Sequence, residues 1–113
     1  MVEKRLPFEE GQLVTFNPFS KDLQTYPYKT CGYDGEGVFV LYEKIDMFSY
    51  PSWNDFMGSS VKVRSGETGI LMGTVGIPQG IQLFSLDRPD LDLCVYKVLL
   101  NGRQVQVFGI DLN

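Results

Sequence analysis

Residues 94–108 constrain the fold more than any other part of the chain. Two valine-rich runs flank the dipeptide Asn101-Gly102. Asn-Gly tolerates the positive φ angles that a type I′ turn needs at both central positions, which makes it a strong short-range signal for a β-hairpin. Because the loop has only two residues, the register is set, and Val98 must face Val105. This segment therefore predicts a hairpin with a defined register.

The alternation of residues predicts a different environment for each face of this hairpin. One face is apolar, and we expect its members to lie in the core: Tyr96, Val98, Val105 and Val107. The other face mixes apolar and polar residues, and we expect it to be half solvated: Val95, Lys97, Leu99, Gln104, Gln106 and Phe108. The turn chemistry and the face pattern support the same structure independently.

Three more stretches have the character of strands: residues 12–16, 37–45 and 60–75. In the third, two valines alternate with Lys62 and Arg64, which points this basic pair away from the core. A Ser-Gly turn follows at Ser65 and Gly66. We interpret the third stretch as a second hairpin, in which Gly73 marks a bend or bulge.

The overall pattern predicts an all-β fold with little helix. Glycine and proline interrupt the chain too often for a sustained 3.6-residue apolar period. Residues 108–113 predict a single 3₁₀ turn that places Ile110 and Leu112 under the sheet. A chain of 113 residues suits one domain with one core, and 43% hydrophobic residues can fill that core. We therefore predict one all-β domain over residues 1–113.

The run Ser60-Val-Lys-Val-Arg-Ser-Gly-Glu-Thr-Gly-Ile-Leu-Met72, followed by residues 96–112, resembles SH3-like small β-barrels with a KOW-type opening. It is especially similar to short barrel proteins of tailed bacteriophages. The shared features are an alternating strand, a Ser-Gly turn, a glycine-bearing strand and a hairpin that ends in an apolar turn. The resemblance implies a single SH3-like small β-barrel, here with long loop insertions near residues 17–36, 46–59 and 76–93.

The first half of the chain leaves two interpretations open. Residues 12–16 and 37–45 are either the first strands of this barrel or a degenerate second copy of its hairpin. The first alternative needs only one core, which suits a chain of this length.

Charge and composition bear on the partners and activities that we expect. A net charge of −4 disfavours generic binding to nucleic acid and to anionic membranes. The chain contains no histidine, which removes the usual general base beside a nucleophile and the commonest zinc ligand. We therefore expect no enzyme activity, no catalytic residues and no cofactor, and we assign no metal site.

The N-terminus and the two cysteines bear on the compartment. Residues 1–7 have no apolar stretch behind their charges, and no segment reaches the roughly 20 apolar residues of a membrane span. We expect a cytoplasmic or virion-associated protein with no signal peptide. Cys31 and Cys94 stand far apart in the sequence, and we expect two buried thiols rather than a disulfide.

Aromatic residues in two predicted loops form the candidate partner site. Tyr50 and Trp53 lie in an aromatic-rich loop between strands, and Tyr28 and Tyr33 lie in an earlier loop. Rings in the loops of a small barrel form grooves for extended peptides at little entropic cost. In the alternative interpretation, Trp53 caps an open end of the core and the tyrosines lie over the barrel.

Two hypotheses of function follow. The first is a non-catalytic protein-interaction or structural module that binds another protein, with a bacteriophage accessory protein as the context that the resemblance implies. A homo-oligomer is compatible with this hypothesis. The runner-up is an RNA- or transcription-complex-binding barrel of the KOW type that uses a small basic face: Lys62, Arg64, Lys97 and Arg103. A solvated strand face explains the same four residues without a ligand.

An acidic cluster is the last candidate site. Asp87, Asp90 and Asp92 lie close together in the sequence, and oxygen-rich loops of this kind bind calcium in some proteins. The spacing does not match an EF-hand, and two leucines alternate with the acids. Our interpretation is therefore an edge strand protected by charge.

Overall fold

The computed structural model describes residues 8–18, 31–33, 35–48 and 56–113. The strands in these ranges are β1 (Leu13–Thr15), β2 (Gly32–Tyr33), β3 (Val38–Ile45), β4 (Phe56–Arg64), β5 (Thr68–Gly76), β6 (Val95–Leu100) and β7 (Arg103–Phe108). The same ranges also contain a six-residue helix, α1 (Gln82–Asp87), and 3₁₀ turns at Gln79–Ile81 and Gly109–Asp111. The predicted all-β class is confirmed. In the described part of the chain, no helix is long and apolar enough to cross a membrane.

The seven strands form one antiparallel sheet. Its order is β1-β5-β6-β7-β3-β2, and β4 also pairs with β3. The end of the chain returns to β1, because Phe16 forms a β-bridge with Leu112 and because Thr15 and Asn113 exchange backbone hydrogen bonds of 3.0 and 2.9 Å. β1 therefore lies between β5 and the C-terminal residues.

The hairpin at Asn101-Gly102 has the predicted geometry. Both turn residues have positive φ, 52° at Asn101 and 73° at Gly102. Val98 pairs with Val105, and the apolar face lies in the core as expected, with Tyr96, Val98, Val105 and Val107 all buried. The final 3₁₀ turn is also present at Gly109–Asp111, and Leu112 beyond it is buried.

The predicted second hairpin over residues 60–75 is wrong. β4 forms its ladder with β3, from Val38 opposite Arg64 to Ile45 opposite Phe56, and no described residues of β4 and β5 pair with each other. The backbone of Phe16 occupies the turn between them: its N–H donates to the Glu67 carbonyl and its carbonyl accepts from the Gly66 N–H, both at 2.8 Å. β4 and β5 leave this turn for different neighbours, β3 for β4 and β1 and β6 for β5.

The ladders of the sheet contain three irregularities. The register between β5 and β6 shifts between Leu71 and Gly73, as predicted from Gly73, and again between Thr74 and Gly76. β4 begins at Phe56, within the predicted 46–59 loop, and contains a bulge where Gly58 has a φ of 84°. A residue with positive φ at a bulge is usually glycine. Such a glycine gives the sequence of this stretch the character of a loop, although it forms a strand.

The main core lies on one face of the sheet. Its members come from most of the strands and from the chain end: Val14, Phe16, Cys31, Phe39, Leu41, Val63, Leu71, Tyr96, Val98, Leu100, Val105, Val107 and Leu112. Within it, Phe16 and Phe39 meet edge to face, with ring centroids 5.6 Å apart. The alternation of buried and exposed residues along β5 and β6 follows from this one-sided burial.

A second cluster covers the opposite face at one end of the sheet. Its buried members are Ile45, Ile81, Leu93, Val95 and Phe108. The hairpin face that we predicted to be half solvated is thus divided: Val95, Gln106 and Phe108 are buried, whereas Lys97, Leu99 and Gln104 are exposed. The cover comes from residues 77–93, which make up all of the predicted 76–93 loop except Gly76 and contain a 3₁₀ turn and α1.

Candidate functional site

Most of the predicted partner site lies outside the described residues. This is the case for Tyr28, Tyr50 and Trp53. Of Tyr33 only the backbone is described, in β2, where it pairs with Phe39. The aromatic-loop site therefore stays a prediction from the sequence.

The four basic residues of the alternative site do not form one face. Lys62 and Arg64 are exposed on β4, and Lys97 is exposed on β6. Two strands, β7 and β3, separate β6 from β4, which puts three strand spacings, or about 14 Å, between them. Arg103 pairs with Leu100 and so points to the core-side face of the hairpin, opposite to Lys97.

The position of Lys62 and Arg64 on β4 is typical of charges that protect a strand edge. Among the described residues, no strand pairs with the far edge of β4. Charged side chains and bulges on an edge strand oppose unwanted pairing with another chain. The backbone N–H of Arg64 donates a hydrogen bond to the Glu67 carboxylate. Protection of an open edge therefore explains this basic pair without a nucleic acid.

The three acids of the candidate calcium loop have separate roles. Asp90 accepts two hydrogen bonds from Arg88, at 3.1 and 2.9 Å, and these bonds lower the pKa of the Asp90 carboxyl. Asp92 accepts from the Cys94 N–H and the Tyr96 hydroxyl, while Asp87 ends α1. The described residues contain no group of three or more potential metal ligands. The predicted edge strand here is wrong, because this segment is a helix end followed by turns.

Asp92 joins residues 77–93 to the sheet. Its Oδ2 atom accepts from the Tyr96 hydroxyl at 3.0 Å, and its Oδ1 atom accepts from the Cys94 N–H at 3.1 Å. Burial of Tyr96, together with the adjacent Asp92 carboxylate, raises the pKa of the Tyr96 phenol. Burial also raises the pKa of the Cys94 thiol, again with a contribution from Asp92. Cys31 is buried, as expected, whereas Cys94 is only half-buried.

The raised pKa of Tyr96 predicts a loss of stability at alkaline pH. The unfolded chain releases the phenol proton near pH 10, whereas the folded chain retains it to a higher pH. This contribution is thus fully present below about pH 10 and declines as the pH rises further. We expect Tyr96→Phe to lower the free energy of unfolding by about 1–2 kcal/mol at pH 7, through the lost hydrogen bond to Asp92.

Denaturant titrations of both proteins from pH 7 to 11 measure this effect. Between pH 10 and 11 the free energy of unfolding should fall less steeply for Tyr96→Phe than for the wild type. The difference should approach, but not exceed, about 1.4 kcal/mol per pH unit. If the free energy of unfolding fell equally steeply with pH for both proteins, the raised pKa of Tyr96 would be contradicted.

A contiguous apolar surface lies on the outer face of the sheet. Cross-strand pairing places Leu13 of β1 opposite Ile70 of β5, and Ile70 opposite Leu99 of β6. Met72 follows two residues after Ile70 on the same strand. These four side chains are 71% (Leu13), 43% (Ile70), 42% (Met72) and 37% (Leu99) exposed. We call this set the outer patch.

The cross-strand neighbours of the outer patch are polar, and the exposed acids Glu9 and Glu10 come just before Gly11, whose N–H donates to the Leu71 carbonyl. Thr15 and Thr68, which pair with each other, lie on one side of it. Gln104 pairs with Leu99, and Lys97 is the one charged residue next to it on β6. An apolar centre within a polar rim is the usual composition of a protein-binding surface.

Sequence reasoning missed the outer patch, although part of the signal was present. Ile70 and Leu71 are adjacent in β5, as are Leu99 and Leu100 in β6, so each strand is apolar on both faces at this point. That pattern predicts a strand covered on both sides. In the structure, the second cluster covers the face at the other end of the sheet and leaves this end open.

The other large exposed apolar residues lie in different elements. Leu83 and Leu86 project from α1, Met57 lies in β4, and Phe48 and Ile77 follow β3 and β5. α1 has only six residues, and these side chains share no sheet face. The outer patch is therefore the set of exposed apolar residues that paired strands of the sheet hold next to one another.

No protein-family model, no curated protein and no solved structure matches this chain.

Proposed function

We propose that this protein is a non-catalytic protein-interaction or structural module that binds a partner through its outer patch. The observation that carries the proposal is the exposure of Leu13, Ile70 and Leu99 in one cross-strand row. Single exposed apolar residues are ordinary, but a contiguous patch on a rigid sheet costs solubility unless a partner covers it.

The rigidity of the sheet under the patch favours binding. The inner neighbours Val14, Leu71 and Val98 are almost completely buried in the main core. Their packing holds the three strands, and with them the outer side chains, in a fixed arrangement before any partner arrives. A surface ordered in advance loses less conformational entropy on binding.

We also propose that the architecture is a small barrel of the SH3-like kind. The meander β5-β6-β7, the position of β1 beside β5 and the return of the chain end to β1 all support this proposal. These connections wrap one continuous set of strands around one main core. The bacteriophage context rests on the resemblance of residues 60–72 and 96–112 alone.

The experiment that tests the function is a comparative capture from extracts of the native host. The bait proteins are the wild type, Leu13→Gln and the matched control Leu83→Gln. Both substitutions exchange an exposed leucine for glutamine, at 71% and 80% exposure, so neither should unfold the chain. We expect a set of proteins that the wild type and Leu83→Gln retain and that Leu13→Gln loses at least about tenfold, the size of a typical hot-spot loss.

Two outcomes would change this assignment. Capture of the same set by all three baits would overturn the role of the outer patch. A fourth bait, Trp53→Ala, tests the sequence-based aromatic site. If only Trp53→Ala loses the captured set, the interaction function stands and the binding surface moves to the aromatic loop.

Nucleic-acid binding remains the second proposal, with less support from the basic residues. Lys62 and Arg64 are separated from Lys97 by two strands, and Arg103 faces the other way. Single-strand binding needs a continuous basic track with stacking rings. We therefore expect weak binding to generic DNA and RNA at physiological salt, as measured by fluorescence anisotropy. A submicromolar affinity that falls steeply with salt would reverse the ranking of the two functions.

A further inference from the structure

We infer that Asn101 is a site of spontaneous deamidation and that the isoaspartyl product of this reaction destabilises the hairpin of β6 and β7. The inference is independent of the proposed function, because it concerns the turn of the hairpin and not the outer patch. It starts from the chemistry of the Asn-Gly pair at the tip of the hairpin. The side-chain amide of an asparagine is open to attack by the next backbone nitrogen, and asparagine is one of the thermolabile residues of proteins.

The reaction needs water as its one co-reactant. The Gly102 nitrogen loses its proton and forms a bond to Cγ of Asn101, while the bond from Cγ to Nδ2 breaks and ammonia leaves with a proton. Water then opens the resulting five-membered succinimide at one of its two carbonyl groups. Opening at one carbonyl gives aspartate, and opening at the other gives isoaspartate, in which the backbone runs through Cβ. The net change exchanges an amide for a carboxylate, with no oxidation or reduction.

The structure leaves the reacting groups accessible. Asn101 and Gly102 are both exposed, so water reaches the amide and the succinimide. Gly102 has no side chain to hinder attack by its own nitrogen. The ladder ends at the pair Leu100 and Arg103, so the Gly102 N–H lies in the loop beyond the ladder bonds. Exposed loop tips are also where a folded chain opens locally at the lowest cost.

The turn geometry slows this reaction. Asn101 has a φ of 52° and Gly102 a φ of 73°, as a type I′ turn requires. The planar succinimide ring needs a different rotation about the bond from Cα to the carbonyl carbon of Asn101, and that rotation breaks the turn. The reaction therefore passes through a locally opened hairpin, and its rate follows the opened fraction of molecules.

The two products differ in their effect on the hairpin. Aspartate at position 101 still suits the turn, since Asp-Gly is another preferred type I′ pair. Isoaspartate adds a methylene group to the backbone of a loop that has only two residues, and this loop sets the register of both strands. That register pairs the buried residues Val98 and Val105 in the main core. We therefore expect the isoaspartyl form, and not the aspartyl form, to loosen the hairpin.

Two other asparagines of the chain are internal controls. Asn17 precedes Pro18, whose nitrogen has no hydrogen to lose. Asn54 precedes Asp55, whose side chain hinders attack by its own nitrogen. Conversion should therefore occur first at Asn101.

Peptide mapping by mass spectrometry of the full chain, held for weeks at mildly alkaline pH, tests the site. The native wild type should acquire aspartate and isoaspartate at Asn101 before any conversion at Asn17 or Asn54. Urea above the unfolding midpoint should accelerate conversion at Asn101 at least about tenfold, because every molecule is then open. A native protein that keeps Asn101 intact while the protein in urea converts it would overturn the inference. So would earlier conversion at Asn54.

Denaturant unfolding tests the effect on the hairpin. The isoaspartyl fraction of the aged wild type, isolated by chromatography and identified with an isoaspartate-specific methyltransferase, should unfold at a lower denaturant concentration than the unmodified fraction. Freshly prepared Asn101→Asp should unfold close to the wild type. Asn101→Gly keeps a preferred type I′ pair but has no amide to lose, so its aged and fresh samples should unfold alike. An isoaspartyl fraction as stable as the unmodified fraction would overturn the inference, as would an equal loss of stability on ageing in Asn101→Gly.

Discussion

Replacing Phe16 with alanine should lower the free energy of unfolding by about 3–5 kcal/mol, the usual cost of removing a fully buried phenylalanine. Phe16 has no exposed surface, and its ring meets that of Phe39 edge to face. Its backbone also bonds to the turn between β4 and β5 and faces Leu112 near the end of the chain. The substitution thus opens a cavity at the point where three separate segments meet.

Thermal and denaturant unfolding of three variants measures this prediction. Phe16→Leu retains part of the buried volume and should lose less, about 1–2 kcal/mol. Leu13→Ala, in the same region of the chain but exposed, should change stability by no more than about 0.5 kcal/mol. Equal destabilisation by Phe16→Ala and Leu13→Ala would contradict the placement of the main core. If Phe16→Ala fails to fold, Phe16→Leu still separates the two outcomes.

The role of Phe16 shows why part of the fold lay beyond sequence reasoning. The hairpin at Asn101-Gly102 is encoded within 15 residues, since the turn sets the register and the alternation sets the faces. β4 and β5 do not pair with each other, and the turn between them bonds to Phe16, about 50 residues earlier in the chain. Local sequence patterns do not show which distant residue will bond to the backbone of a turn.

The same limit applies to the outer face of the sheet. Strands β5 and β6 are apolar on both faces over part of their length, which is visible in the sequence. Which part is covered depends on where residues 77–93 pack, and that segment lies over Val95 and Phe108 rather than over Leu99. The second cluster and the outer patch are thus two ends of one apolar face, one covered by the chain itself and the other open. The alternation predicted the strands, but only the tertiary packing separates a structural surface from a candidate binding surface.

Gly109→Ala is the second substitution for which we expect a large effect. Gly109 begins the final 3₁₀ turn, and its N–H donates to the Cys94 carbonyl at 2.8 Å. A methyl group here would collide with the Asp92 carboxylate and would lie 2.8 Å from Cε2 of Tyr96. Asp92 must then move and lose its bonds to the Cys94 N–H and the Tyr96 hydroxyl. Overpacking combined with the loss of charge-assisted hydrogen bonds should cost about 3 kcal/mol or more.

The matched control for Gly109→Ala is Gly73→Ala. An added methyl group at Gly73 meets nothing within 4 Å, so that variant should stay within about 1 kcal/mol of the wild type.

A double-mutant cycle identifies the cause of the loss at Gly109. If the collision with Asp92 dominates, Gly109→Ala combined with Asp92→Ala should cost clearly less than the sum of the two single variants. Additive costs would instead assign the loss to the contact with Tyr96. Denaturant unfolding of the wild type, the two single variants and the double variant decides between these causes. A Gly109→Ala protein as stable as the Gly73→Ala control would show that neither contact is tight. Because Asp92 joins residues 77–93 to the sheet through this contact, the cycle also measures how firmly the segment that covers Val95 and Phe108 is attached.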